Sequence, residues 1–181
     1  MSEIIDRLHF SLDVAEEASV LILQHYQTDG LLVESKSDES PVTVADRGAE
    51  LLIRKRIAEQ FPDDGVLGEE FPDVPGRNSF RWILDPIDGT KAFVHGVPLF
   101  GSLIGLEYEG RVVAGVCRFP ALNEVVYAAD GYGCWWKIGN QEPRKTTAPT
   151  TTDIRQARLM FTEPTHWKPF HRFETIMQVM D

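Results

Sequence analysis

The chain has 181 residues and a mass of 20.4 kDa, with 43% hydrophobic and 25% charged residues, a composition that excludes a disordered or fibrous protein. A net charge of −10 excludes broad attraction to nucleic acid, and 2 cysteines, Cys117 and Cys134, are too few for a disulfide framework or a zinc site. The acidic excess lies in residues 1–130, with 23 acidic and 11 basic side chains, so a phosphate bound there needs a cation from outside the chain to invert the local field.

Apolar residues at Ile4, Ile5, Leu8, Leu12, Ala15, Ala18, Ile22 and Tyr26 recur at three- and four-residue steps. They predict an amphipathic helix over residues 2–27, with Ser2 as its N-cap and Gly30 beyond its end. Residues 31–41 read as a polar loop. A second stripe, Ala45, Ala49, Leu52, Ile53 and Ile57, predicts a helix over residues 43–60 that stops before Pro62. After the turn signal Asp63-Asp64-Gly65, short apolar runs predict strands at 66–68, 81–85, 100–108, 111–119, 124–129 and 134–138. Glu109-Gly110 and Asp130-Gly131 supply hairpin turns. Residues 140–153 read as an exposed connection, 157–161 as a further strand and 169–180 as a further helix.

Two helices followed by hairpin-linked strands describe an α+β fold, with the helices on one face of an antiparallel sheet. The expected organisation is an N-terminal α+β metal-binding domain over 1–153 and the start of a second, incomplete α/β domain over 154–181. No apolar run approaches the roughly 20 residues of a membrane span, and the N-terminus is polar, so a cytoplasmic setting without membrane contact is expected.

Carboxylates gather beside glycine and proline in three places: Asp46 in the second helix, Gly68-Glu69-Glu70, and the run from Trp82 to Thr90. In that run Asp85 closes an apolar strand, Pro86 sets the chain direction, and Asp88 follows three residues on. The Ile87 carbonyl lies between the two carboxylates. Hard oxygen ligands without His or thiolate suit magnesium. Gly89 permits close backbone approach, and a short helix over 90–95 begins at Thr90 with amides able to receive an anion. An ordinary strand end with an Asp-Gly turn is the alternative. The Glu-Glu pair and Asp46, with Thr43 and Lys36 upstream, favour a two-ion phosphoryl-transfer site.

Gly68-Glu69-Glu70, the nine residues from Trp82 to Thr90, Lys36 and the stretch from Ser40 to Arg47 together resemble the inositol monophosphatase family of magnesium-dependent, lithium-sensitive phosphomonoesterases. Lys91-Ala92-Phe93 and the run from Gly96 to Ile104 are more similar to its histidinol-phosphate phosphatase branch. The resemblance implies a layered α/β sandwich and a homodimer. It also implies a small phosphomonoester substrate, with histidinol phosphate, in histidine biosynthesis, favoured over an inositol phosphate. The implied cofactor is Mg2+, as two or three ions, with Mn2+ as a substitute. Glu69, Asp85 and the Ile87 carbonyl would hold one ion and Asp85 and Asp88 a second. Asp46, Glu70 and Thr90 would surround the attacking water, with Thr90 relaying its proton toward Asp46. Lys36, Asp88, Gly89 and Thr90 would meet the substrate.

The family's later Trp-Asp pair does not occur, since Trp135, Trp136 and Trp167 are followed by Trp, Lys and Lys. The resemblance therefore covers the N-terminal two-thirds of the family pattern. The rival reading from another class is a non-catalytic remnant that keeps a metal- or phosphate-binding turn. His95 is read as a helix-dipole partner, Trp135-Trp136 as core plus oligomer contact, and Arg144-Lys145 as a solvated loop.

Overall fold

The computed structural model describes residues 2–28, 33–35, 41–148 and 150–156. Lys36 and the strand and helix expected at 157–161 and 169–180 lie outside the described residues. The chain divides into two compact units, Met1–Thr147 and Ala148–Asp181.

In the first unit, helix α1 (Ser2–His25) and helix α2 (Val44–Gln60) lie on one face of a seven-stranded sheet. Between the helices, β1 (Val33–Ser35) and β2 (Pro41–Thr43) form a short antiparallel ribbon, β1 inside the segment expected to be loop and β2 running from its end to the expected first residue of the second helix. The sheet runs β3 (Gly65–Gly68), β4 (Phe80–Asp88), β5 (Gly101–Tyr108), β6 (Arg111–Phe119), β7 (Glu124–Ala129), β8 (Gly133–Ile138) and β9 (Arg144–Thr146), with strand order equal to chain order. A five-residue helix, α3 (Thr90–Val94), links β4 toward β5.

The sheet is antiparallel except at one edge, where β3 and β4 pair in parallel. The 11-residue connection 69–79 makes this crossover, and Val74 bridges back to Val66 on the way. Strand β9 falls in the segment expected to be an exposed connection. There Arg144 stacks its guanidinium 4.1 Å from the centre of the Trp136 ring rather than standing free in solvent.

The helical stripes bury as their spacing requires. Leu8, Ala15, Ala18 and Ile22 of α1 and Ala45, Ala49, Ile53 and Ile57 of α2 are buried against Trp82, Leu84, Ile104 and Leu106 of the sheet. Small residues let the helices approach closely: a Cβ on Gly48 would lie 3.2 Å from a Leu21 methyl. Buried Ser11 and Ser19 satisfy their hydroxyls on the carbonyls of Arg7 and Ala15 one turn back.

A buried polar cluster closes one end of this core. Asp64 accepts from Arg7 Nε and Nη2 (2.8 and 2.9 Å), Trp82 Nε1 (2.9 Å) and Asn78 Nδ2 (2.8 Å). The Arg7 guanidinium is sandwiched between the rings of Phe61 and Phe80, at 4.4 and 3.8 Å. A buried ion pair contributes only when its remaining hydrogen-bonding capacity is met, and here both Asp64 oxygens are engaged. Asp64 lies in the turn that its sequence signalled and also ties α1 to β4.

Candidate active site

The parallel pairing of β3 with β4 creates the site. Its register sets Gly68 opposite Leu84, so Glu69 and Asp85 leave the same end of adjacent strands. Antiparallel pairing would have sent them to opposite ends. Strand β4 does not close at Asp85 as its sequence suggested: it continues to Asp88 through a bulge. Asp85 pairs with Leu103 and Asp88 with Gly101, three steps on β4 against two on β5. Pro86 has no N–H to give a ladder, and a bulge is where a strand tolerates it.

Gly89 follows at φ +86°, the left-handed region, which turns the chain directly from strand into α3. A side chain there would be strained and would press on the Leu99 carbonyl, 3.2 Å from the added Cβ.

Across from this turn, α2 opens with a capping box. The Thr43 hydroxyl accepts from Ala45 N (3.1 Å), while Asp46 Oδ2 accepts from Thr43 N (2.8 Å) and from the Thr43 hydroxyl (2.6 Å). Asp46 is thus buried with Oδ2 committed to the cap and Oδ1 facing Thr90, whose Oγ1 lies 3.5 Å away. The same Oγ1 is 3.0 Å from the Ile87 carbonyl. A hydroxyl has one proton to donate, so Thr90 chooses between these two acceptors.

Asp85 is the electrostatic centre. Its carboxyl is pushed up to about 8, first by burial, then by the charge of Glu69 and a hydrogen bond with it, and then by the charges of Asp88 and Asp46. Asp85 Oδ1 is buried with no hydrogen-bond partner among the described residues. Among those residues no three His, Cys, Asp or Glu side chains close into a cation cage. The arrangement is more open: two facing carboxylates, with two more near enough to repel. An orphaned buried acceptor among crowded carboxylates fits a hard divalent cation.

Glu69 and Asp88 are exposed, Glu70 is half-buried, and the Ile87 side chain is buried beneath the bulge. Sequence reasoning passed over Glu50, Arg54 and Arg47. Glu50, one turn beyond Asp46, is wholly buried; its Oε1 accepts from Arg54 Nε (2.7 Å) and its Oε2 from the Glu70 amide (2.8 Å). The i, i+4 Glu-Arg spacing within an otherwise apolar stripe was the available signal. Exposed Arg47 pairs with Glu34 of β1 and senses the charges of Glu70 and Asp46 more weakly. His95 caps α3, its Nδ1 2.8 Å from the Lys91 carbonyl, which fixes the ring proton on Nδ1. Trp135 packs on Tyr132 toward the helices, whereas Trp136 shares the opposite face of the sheet with Val126.

Comparison with known proteins agrees with this geometry. The inositol monophosphatase family model matches residues 6–177. The histidinol-phosphatase of Chlorobaculum parvum is 52% identical over 86% of this chain and 58% of its own length, and that of Mycobacterium tuberculosis is 36% identical over 90% and 62%. The IMPase structure of Thermotoga maritima superposes with a TM-score of 0.73 at 31% identity, covering 94% of this chain and 65% of that one. The chain thus spans about three-fifths of the length of these relatives. The family is generally metal-dependent, and among the described residues no helix is long and apolar enough to cross a membrane. The match of the family model over nearly the whole chain shows that the chain belongs to the inositol monophosphatase family.

Proposed function

We propose that this chain forms the metal- and phosphate-binding half of a phosphomonoesterase that hydrolyses histidinol phosphate by direct attack of water. The observation that carries the reading is the approach of Thr90 Oγ1 to Asp46 Oδ1, 3.5 Å, beside the orphaned oxygen of Asp85. Glu69, Asp85 and the Ile87 carbonyl would hold one ion, and Asp85 with Asp88 a second. A bound divalent cation supplies positive charge that acidifies water and offsets the charge of the phosphate. Mg2+ is the ion proposed, with Mn2+ as its substitute.

The chain's own residues manage the proton. Thr43 holds Asp46 by Oδ2, and Oδ1 is the oxygen that Thr90 approaches. When Thr90 turns from the Ile87 carbonyl to Asp46, its hydroxyl oxygen can take a proton from water as its own passes to the carboxylate. Glu70 would face the same water. The amides of Gly89 and Thr90 would receive the phosphate, with Asp88, and Lys36 from outside the described residues, completing its surroundings.

Two features favour histidinol phosphate over inositol monophosphate. Several relatives carry the histidinol-phosphatase name, and a substrate with a cationic amine suits a region as acidic as residues 1–130. A cytoplasmic setting and a homodimer belong to the same proposal. Phosphate release from both substrates at millimolar Mg2+, with light scattering for assembly, is the test. Release from neither, at any Mg2+ concentration, would remove the enzymatic reading.

A further inference from the structure

One face of α2 repeats a single device. Asp46, Glu50 and Arg54 follow at four-residue steps, and each turns its charged group toward the carboxylate-bearing turns of the site. Asp46 meets Thr90. Glu50 and Arg54 meet the backbone of residues 68–71: Glu50 Oε2 accepts from the Glu70 amide at 2.8 Å, and Arg54 Nη2 donates to the Phe71 carbonyl at 3.0 Å. The two side chains are joined to each other, Arg54 Nε to Glu50 Oε1 at 2.7 Å, and Glu50 has no exposed surface. Gly68 completes the fit, because a Cβ there would lie 2.0 Å from Glu50 Oε1 and 2.6 Å from Arg54 Nη2.

We infer that the Glu50–Arg54 pair is a positioning unit that holds the main chain of residues 69–71 so that Glu69 is set for cation binding. The inference rests on the metal reading of the site given above. The geometry is specific to that task, since the two partners grip main chain within the Glu-Glu pair, at the Glu70 amide, and just after it, at the Phe71 carbonyl, instead of merely filling space. Pinning the Glu70 amide and the Phe71 carbonyl restrains the main chain from which both glutamates project, so less ordering is required when the cation arrives. Groups that orient metal ligands commonly change affinity by about 10–100-fold when removed.

The test is Mn2+ binding to the full chain, followed by the electron paramagnetic resonance signal of free Mn2+ at a temperature far below unfolding. Glu50→Gln keeps the shape and removes the charge that joins Arg54. Arg54→Lys keeps the charge and removes the forked contact to Phe71, and it serves if Glu50→Gln does not fold. The expected result is a Kd raised about 10-fold or more in either folded variant. Ile53→Val, a core truncation in the same helix, should leave Kd unchanged. Wild-type affinity in the folded variants would overturn the positioning role, as would an equal loss in Ile53→Val. Asp85→Asn separates the two ideas. If the unsubstituted chain binds no Mn2+, or if Asp85→Asn binds as well as wild type, the metal reading falls and takes this inference with it. If Asp85→Asn abolishes binding while Glu50→Gln and Arg54→Lys do not weaken it, only the positioning role falls.

Discussion

Two carboxyl groups, buried Asp64 beside β4 and half-buried Asp85 within it, stand in opposite circumstances. Asp64, packed at the start of the strand, receives four donated hydrogen bonds, and its charge is matched by Arg7. Asp85, near the end, has one buried oxygen without a partner and other carboxylates as neighbours. The first is how a chain stabilises a buried charge for folding; the second costs stability and is kept for a ligand that folding does not supply. One strand thus carries a closed electrostatic unit at one end and an open one at the other.

The largest effect that could break this contrast is expected at the open end. In a preparation that releases phosphate, Thr90→Ala should lower turnover by about 10²–10⁴-fold, because the hydroxyl route to Asp46 is lost. Its melting temperature should stay near that of the unsubstituted chain. Matched losses of activity and stability would make Thr90 a structural corner instead. At the closed end, Asp64→Ala should cost about 3–5 kcal/mol in urea unfolding, since it leaves Arg7 charged and buried without a partner. Mn2+ affinity measured on the folded fraction should not change.

Asp85→Asn should act in the reverse direction. By relieving carboxylate crowding it should stabilise the metal-free chain, on the order of 1 kcal/mol once solvent screening is allowed for. It should also abolish any rise in melting temperature caused by Mg2+. Destabilisation of the metal-free chain would show that Asp85 serves the fold after all.

The smallest effect concerns Cys117, whose thiol is pushed up to about 11 by burial and then by the charge of Asp88. The folded chain holds this proton more tightly than the unfolded chain does. Its contribution is therefore constant below about pH 9, and stability should decline as pH rises through about 11. Alkylation of Cys117 at pH 8 should be slow and should quicken in Asp88→Asn, as mass spectrometry would record.

Much of this architecture was legible locally. The stripes of α1 and α2 placed both helices, and alternation placed β5, β6 and β7 to within a residue. The nine residues from Trp82 to Thr90 pointed to the candidate site because their chemistry is concentrated in one run. What local spacing could not show were pairings across the chain. Nothing in the spacing of the first helix marks Arg7, and its contact with Asp64, 57 residues away, explains its burial. The parallel direction of β3 was equally hidden, since a four-residue strand carries no mark of its partner's direction, yet it unites Glu69 with Asp85. The ribbon of β1 and β2 and the edge strand β9 escaped because three-residue strands are too short to establish alternation.

The order of strands has a consequence for how the molecule comes into being. Because position in the sheet follows position in the chain, each strand after β4 finds its partner in the segment made immediately before it. Loop closure for such neighbours is short, and low contact order of this kind favours rapid assembly. The slow step should be the β3–β4 crossover, which closes around residues 69–79 on one edge of β4 while β5 adds to the other. During synthesis the sheet can therefore grow outward from β4 as each hairpin leaves the ribosome, with α1 and α2 already available to cover its face.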